Sequence, residues 1–180
     1  MGGQSVRGTH DLSRPLRDRL TRNGSAIHDG AIRYMMLRPD VLMGMFDRLP
    51  ADLRITALDA LCQSVAANGG KSVRAYLAAA PDDLDQLLRV MVETAADLGW
   101  GKWVLTSNAE TGFDVSVYDS PFAAAADHPQ PAPQCAAITG ILTATARAIW
   151  PAGAFVEETR CAAQDRAGCH CHFRLRPLRD

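Results

Sequence analysis

The sequence predicts an α+β domain, an antiparallel sheet packed against several helices. Three observations lead to it. Apolar residues recur with a helical period through residues 39–98. The pattern switches to strict alternation over residues 102–118. A further helical stretch is then followed by two short alternating segments at the carboxyl end. The chain has 180 residues, enough for one domain with a full core.

The elements follow in order. Residues 1–26 read as a loosely held arm and residues 27–180 as the folded, ligand-binding unit. Within the arm, "DLSRPLRDRLTRNG" predicts a short helix stopped at Asn23-Gly24. "AIRYMMLRPD" predicts a strand ending at Arg38-Pro39, and Pro39 opens a short apolar helix, "PDVLMGMFDRL". In the segment from Pro50 onward, Leu53, Ile55, Leu58, Leu61 and Val65 lie near helical spacing, and Gly69-Gly70 predicts its end. "KSVRAYLAAAP" predicts another short helix. The strongest helical pattern is "DDLDQLLRVMVETAADLGW", with acids in its first turn and a stripe of Leu84, Leu87, Leu88, Met91 and Ala95. "GKWVLTS" and "GFDVSVYDSP" predict a hairpin turning between Asn108 and Gly112. After a proline-rich loop, "CAAITGILTATARAIW" predicts a helix with Cys135 at its start. "GAFVEET" and "CHFRLRP" predict a closing strand pair.

Composition narrows the function. A formal charge of −1 gives no global field toward nucleic acid or an anionic membrane, so neither is expected as a direct partner. No run of eighteen apolar residues predicts a membrane span. The polar opening residues lack the apolar core of a secretory signal, which predicts a cytoplasmic protein. In that reducing compartment clustered cysteines favour metal or redox chemistry over structural disulfides. Catalytic motifs are thin: there is no nucleophile elbow, and "GWGKW" lacks the glycine spacing of a dinucleotide loop. No catalytic residue is assigned.

The densest chemistry lies in "ETRCAAQDRAGCHCHFRL", Glu158 to Leu175, which holds a carboxylate, three of the five cysteines and two of the five histidines. Zinc takes four ligands and accepts both thiolate and carboxylate oxygen. A Glu-x-x-Cys at a strand end can turn Glu158 and Cys161 to one point. Cys135, at a helix start, gains from the positive end of the dipole, which favours thiolate. The remaining cysteine comes from the last strand. In an extended chain Cys169, Cys171, Phe173 and Leu175 share one face, so alternation leaves Cys169 and Cys171 both open. His170 and His172 fall on the other face with Arg174 and Arg176 and are expected to be exposed. Cys62, inside an apolar helix, is expected to be a plain packing residue.

The order of elements, with "IRYMMLRPDVL", "LGWGKW", "VYDSPFA", Cys135 before a helix, "VEETRC" and "CHF", resembles the 4-vinyl reductase domain family. That family includes the sensor domains of phenol- and toluene-responsive activators, and its fold is related to trafficking-complex subunits. The resemblance covers roughly residues 28–176. It implies a ligand-binding domain, acting as a sensor or carrier for a small hydrophobic or aromatic molecule. It also implies a Zn2+ site built from Cys135, Glu158, Cys161 and either Cys169 or Cys171, and a homodimer. Tyr34, Trp100, Trp103, Phe113 and Tyr118 are the expected pocket residues. Tyr118 breaks the apolar alternation, and the sensors' phenol-binding histidine has no counterpart in residues 71–98. Two other functions are open to such a fold: an accessory protein or reductase for a tetrapyrrole intermediate, and a non-catalytic assembly module.

Overall fold

The computed structural model describes residues 14–79, 83–108, 112–165 and 170–178. The main sheet has four antiparallel strands in the order β4-β5-β7-β6. These are β4 (Lys102–Asn108), β5 (Gly112–Tyr118), β6 (Ala154–Arg160) and β7 (His170–Pro177). The alternation read from the sequence sets which face is buried. Val115 pairs with Phe173 and Val117 with Cys171, and all four are fully buried. Their neighbours Asp114, Ser116, His172 and Arg174 lie on the outer face.

Helix α6 (Ala136–Ile149) lies against β6 and β7, α4 (Leu84–Asp97) against β4, and α3 (Ala51–Ala79) against α6. The expected stripe of α4 faces inward, with Leu87, Met91 and Ala95 buried. Asp83 caps this helix by accepting a hydrogen bond from the Gln86 N–H at 2.8 Å. Two shorter helices, α2 (Pro39–Asp47) and α5 (Pro121–Ala124), start at prolines as that residue favours.

Two expectations are corrected. Helix α3 runs through Gly69-Gly70 as one element of 29 residues. These glycines mark close packing, not a stop. A Cβ on Gly69 would sit 3.0 Å from Ile141 Cδ1, and one on Gly70 3.1 Å from the Ala144 Cβ, both on α6. From the other side, a Cβ on Gly140 would sit 2.4 Å from the Cys62 carbonyl oxygen. Small residues on both helices let the backbones approach, and that outweighs the helix cost of glycine, about 1 kcal/mol each.

The second correction concerns the amino-terminal segment. Residues 16–34 form a short helix α1 (Leu16–Arg19) and a three-stranded sheet, β1 (Thr21–Asn23), β2 (Ala26–Asp29) and β3 (Ile32–Tyr34). Asn23-Gly24 is a hairpin signal here: Asn23 pairs with Ala26 around a two-residue turn, with Gly24 at φ +59. Leu16 is buried, Arg17 pairs with Asp97 of α4, and Arg19 forms a buried ion pair with Asp29 at 3.0 Å. This described part is therefore fastened to the body. "AIRYMMLRPD" contributes only the short β3, and Met35 and Met36 beyond it are largely exposed.

Candidate metal centre

Four side chains from three parts of the chain converge under the sheet: Cys135, Glu158, Cys161 and Cys171. One possible ligand atom from each lies within 4.8 Å of all the others. The three cysteines are almost fully buried, and the Cys135 and Cys171 sulfurs are 3.5 Å apart. Cys169 lies outside the described residues.

Local structure explains the convergence. Residues three apart in a regular strand face opposite ways. In β6, Glu158 pairs with Phe173 but Arg160 pairs with His172, a register shift that leaves Thr159 extra. Such a bulge reverses the alternation. Glu158 and Cys161 thereby reach the same side of the sheet, which strict alternation forbids. Cys171 reaches it by ordinary pairing with Val117. Cys135 is the N-cap residue of α6. The loop before it contains Pro129, Pro131 and Pro133, which have no N–H to donate. Gln130 N–H donating to the Ala163 carbonyl (2.8 Å) and the Gln134 side chain, which donates to the Ala132 carbonyl (2.6 Å), hold it in place.

Each of the four groups also has a polar contact at its own atom. The Gln134 N–H donates to Cys161 Sγ (3.4 Å) and the Ala162 N–H to Cys171 Sγ (3.3 Å). The Cys135 N–H donates to Glu158 Oε2 (3.2 Å), and the Ser120 hydroxyl lies 3.2 Å from Cys135 Sγ. Such contacts orient ligands and tune a bound ion. Ser120, Gln134 and Ala162 carry no motif that would have marked them; their roles arise from chain reversals that bring distant backbone to the sulfurs.

The electrostatics are those of an anionic cluster short of positive charge. Burial first, and the neighbouring Cys161 second, push the Glu158 carboxyl up to about 9. Hydrogen bonding with Cys161 and Cys171, reinforced by burial, pushes the Cys135 thiol well above its ordinary value. Cys171 is held down to about 4, chiefly by hydrogen bonds from Cys135 and then Cys161. Among the thiols alone, the adjacent sulfurs and burial outweigh the helix dipole at Cys135, and a cation there would displace the thiol protons and favour thiolate.

This donor set fits zinc. Two thiolates on one tetrahedral zinc sit about 3.8 Å apart, given Zn–S near 2.3 Å, close to the observed 3.5 Å. Glu158 Oε1 is buried with no hydrogen-bond partner among the described residues. A bare buried carboxylate oxygen is costly, and a cation at the centre of the cluster would meet it.

The expected pocket aromatics do not form one group. Trp103 and Phe113 are buried and line a hollow of about 390 Å3 between α4 and the β4–β5 hairpin. Trp100 stands edge-on to Phe122, ring centroids 5.4 Å apart. Tyr34 is half-buried in the small sheet, where burial and then Asp29 raise its phenol. Tyr118 is 38% exposed and lies over His170, because its strand position puts it on the outer face with Asp114 and Ser116. A second hollow, about 410 Å3, borders Val117, Ser120, Ala123, Ala162 and His170 beside the cluster. His172, expected to be exposed, is partly covered and its Nδ1 lies 2.7 Å from Thr159 Oγ1. Cys62 is half-buried on α3. Among the described residues no helix is long and apolar enough to cross a membrane.

Neither a protein family nor a curated protein matches the chain by sequence. Solved structures match its fold. The phenol-responsive sensory domain of the transcription activator PoxR, solved with phenol, superposes with a TM-score of 0.75 at 17% identity, over 98% of this chain and 92% of that one. A trafficking protein particle complex subunit 3 from Naegleria fowleri, covalently bound to palmitic acid, gives a TM-score of 0.51 at 12% identity, over 79% of this chain and 98% of that one. A vinyl-4-reductase family protein from Methanocaldococcus jannaschii gives 0.47 at 14% identity, over 83% of this chain and all of that one. The fold implied by the sequence resemblance is the fold observed.

Proposed function

We propose that the chain is a zinc-containing, ligand-binding domain that senses or carries a small hydrophobic or aromatic molecule. The observation that carries this reading is the convergence of Cys135, Glu158, Cys161 and Cys171 on one point. Four protein ligands fill a tetrahedral site and leave no open position, so the ion is structural and not catalytic. It ties the start of α6 to the end of β6 and the start of β7, beside the 410 Å3 hollow that Val117, Ser120, Ala123, Ala162 and His170 line. Sites of this kind contribute on the order of 10 kcal/mol, as much as the whole stability of a typical domain, roughly 5–15 kcal/mol. The small aromatic ligand is supported by the likeness to the PoxR domain, which was solved with phenol. The ligand-binding unit expected over residues 27–180, with β1 paired onto its β2, acts in the cytoplasm, where the thiols stay reduced.

The chain works as a homodimer. Met35, Met36, Leu37, Val41 and Met45 expose an apolar run on β3–α2 that a second copy would cover. The same run is the observation that favours the alternative, an assembly module built on a trafficking-subunit-like fold. Native mass spectrometry of protein purified from cells, with metal analysis, separates them. One zinc per chain with a co-purified small molecule is expected. Metal-free chains joined to another protein, with no small molecule, favour the assembly reading.

A further inference from the structure

We infer that Arg54, on the first turn of α3, is a positioning residue for the metal centre, acting through Gln134 on Cys135 and Cys161. This deepens the zinc reading and rests on it. Arg54 Nη2 donates to Gln134 Oε1 at 2.7 Å, and the same nitrogen lies 2.7 Å from Asp47 Oδ1 at the end of α2. The guanidinium is only 14% exposed, and its Nε is buried without a partner among the described residues. A covered arginine held this way is expensive unless its geometry is used, since each desolvated charge must be met by well-placed partners.

What it holds is Gln134, itself 2% exposed. The Gln134 side chain folds back to donate to the Ala132 and Pro133 carbonyls (2.6 and 3.2 Å), while its backbone N–H donates to Cys161 Sγ (3.4 Å). The next residue is Cys135, whose N–H holds Glu158 Oε2. Gln134 therefore meets one ligand directly, Cys161, and is joined through the next residue to two more, Cys135 itself and Glu158. The proline-rich loop has few N–H groups of its own to fix this arrangement. Arg54 replaces them with a charged donor anchored 80 residues away in sequence, at the α2–α3 corner. The path also runs outward: Asp47 ends the helix that carries the exposed Val41 and Met45. Coupling is reciprocal, so an ion at the cluster tightens the α2–α3 corner through the same three side chains.

The test uses the full chain with Arg54→Met, Arg54→Lys and Gln134→Met. Metal affinity is read by chelator competition, thiolate geometry by the charge-transfer bands of the cobalt(II)-loaded protein, and the 130–136 loop by amide hydrogen exchange in chelator-treated protein. Arg54→Met is expected to weaken metal binding about tenfold, the low end for outer-shell partners. It should also shift the cobalt bands and speed exchange at Gln134. Arg54→Lys should restore most of each, and Gln134→Met should reproduce Arg54→Met. Metal should slow exchange in residues 43–54 of the wild type and not of Arg54→Met. Wild-type affinity, bands and loop exchange in both methionine variants overturn the inference. If the wild type binds no metal, the zinc reading falls. The exchange of Gln134 in chelator-treated protein then still decides whether Arg54 positions the loop.

Discussion

Glu158 is the residue on which the chemistry turns, because its carboxyl sits among thiols with one oxygen unmet. Replacing it by glutamine keeps the shape and removes the charge. Glu158→Gln, which removes a direct ligand charge, is expected to lower zinc affinity by about 100-fold or more, beyond the 10–100-fold that loss of an outer-shell partner costs, as read by chelator competition. The pH behaviour follows with a definite sign. Metal binding needs the carboxylate and thiolate forms. Glu158 holds its proton up to about 9, so apparent affinity should climb as pH rises from 6 to 8, by about tenfold per unit for each proton displaced. A flat profile contradicts that assignment. In chelator-stripped protein two opposite contributions meet. The raised Glu158 carboxyl stabilises the fold below the ordinary carboxylate range, and that contribution is lost as pH rises through about 9. The depressed Cys171 thiol stabilises above the ordinary thiol range, and its contribution is lost as pH falls through about 4. Between these limits they oppose each other. In stripped Glu158→Gln only the Cys171 contribution remains, so melting temperature should rise with pH from 5 to 8, whereas the stripped wild type should change less.

At the scale of elements, the helix pair α3–α6 is held at close range by glycine on both sides. Gly140→Ala would drive a methyl into the Cys62 carbonyl, 2.4 Å away. It is expected to cost about 1–3 kcal/mol, the usual range for overpacking, read as a drop in denaturation midpoint. Gly70→Ala, meeting the Ala144 methyl at 3.1 Å, should cost less. A neutral Gly140→Ala would mean that the helices are farther apart than described. The same elements explain what could be read from the sequence. Helix α4 and the β4–β5 hairpin were legible because their apolar period is local and uninterrupted. Gly69-Gly70 misled because a glycine pair reads identically as a helix end and as a helix–helix contact, and only the partner helix decides. Glu-x-x-Cys pointed correctly to the cluster, yet the means was hidden: a bulge leaves no residue-type signal, and it alone lets Glu158 and Cys161 share a face. The aromatic set scattered because aromatic residues mark burial without saying which cavity they face, as Trp100 against Phe122 illustrates.

For the whole molecule, the fold resembles a phenol-responsive sensory domain at the level of backbone. Function rests on what this chain places on it. Met35, Met36, Leu37, Val41 and Met45 are left uncovered, with Met36 at 83% and Met45 at 52% exposure. Met36→Glu with Met45→Glu should convert a dimer to monomers by sedimentation without changing the melting curve of the monomer, since neither side chain packs in the core. A sedimentation profile identical to wild type would move the contact elsewhere. Beneath these consequences stands one claim, that an ion is held by sulfurs from the α6 start, the end of β6 and β7, together with one carboxylate. X-ray absorption at the zinc edge on protein purified without added metal tests it most directly. The expected shell is three sulfurs near 2.3 Å and one oxygen near 2.0–2.2 Å, one zinc per chain. A protein without tightly held zinc, or a shell dominated by nitrogen, contradicts it.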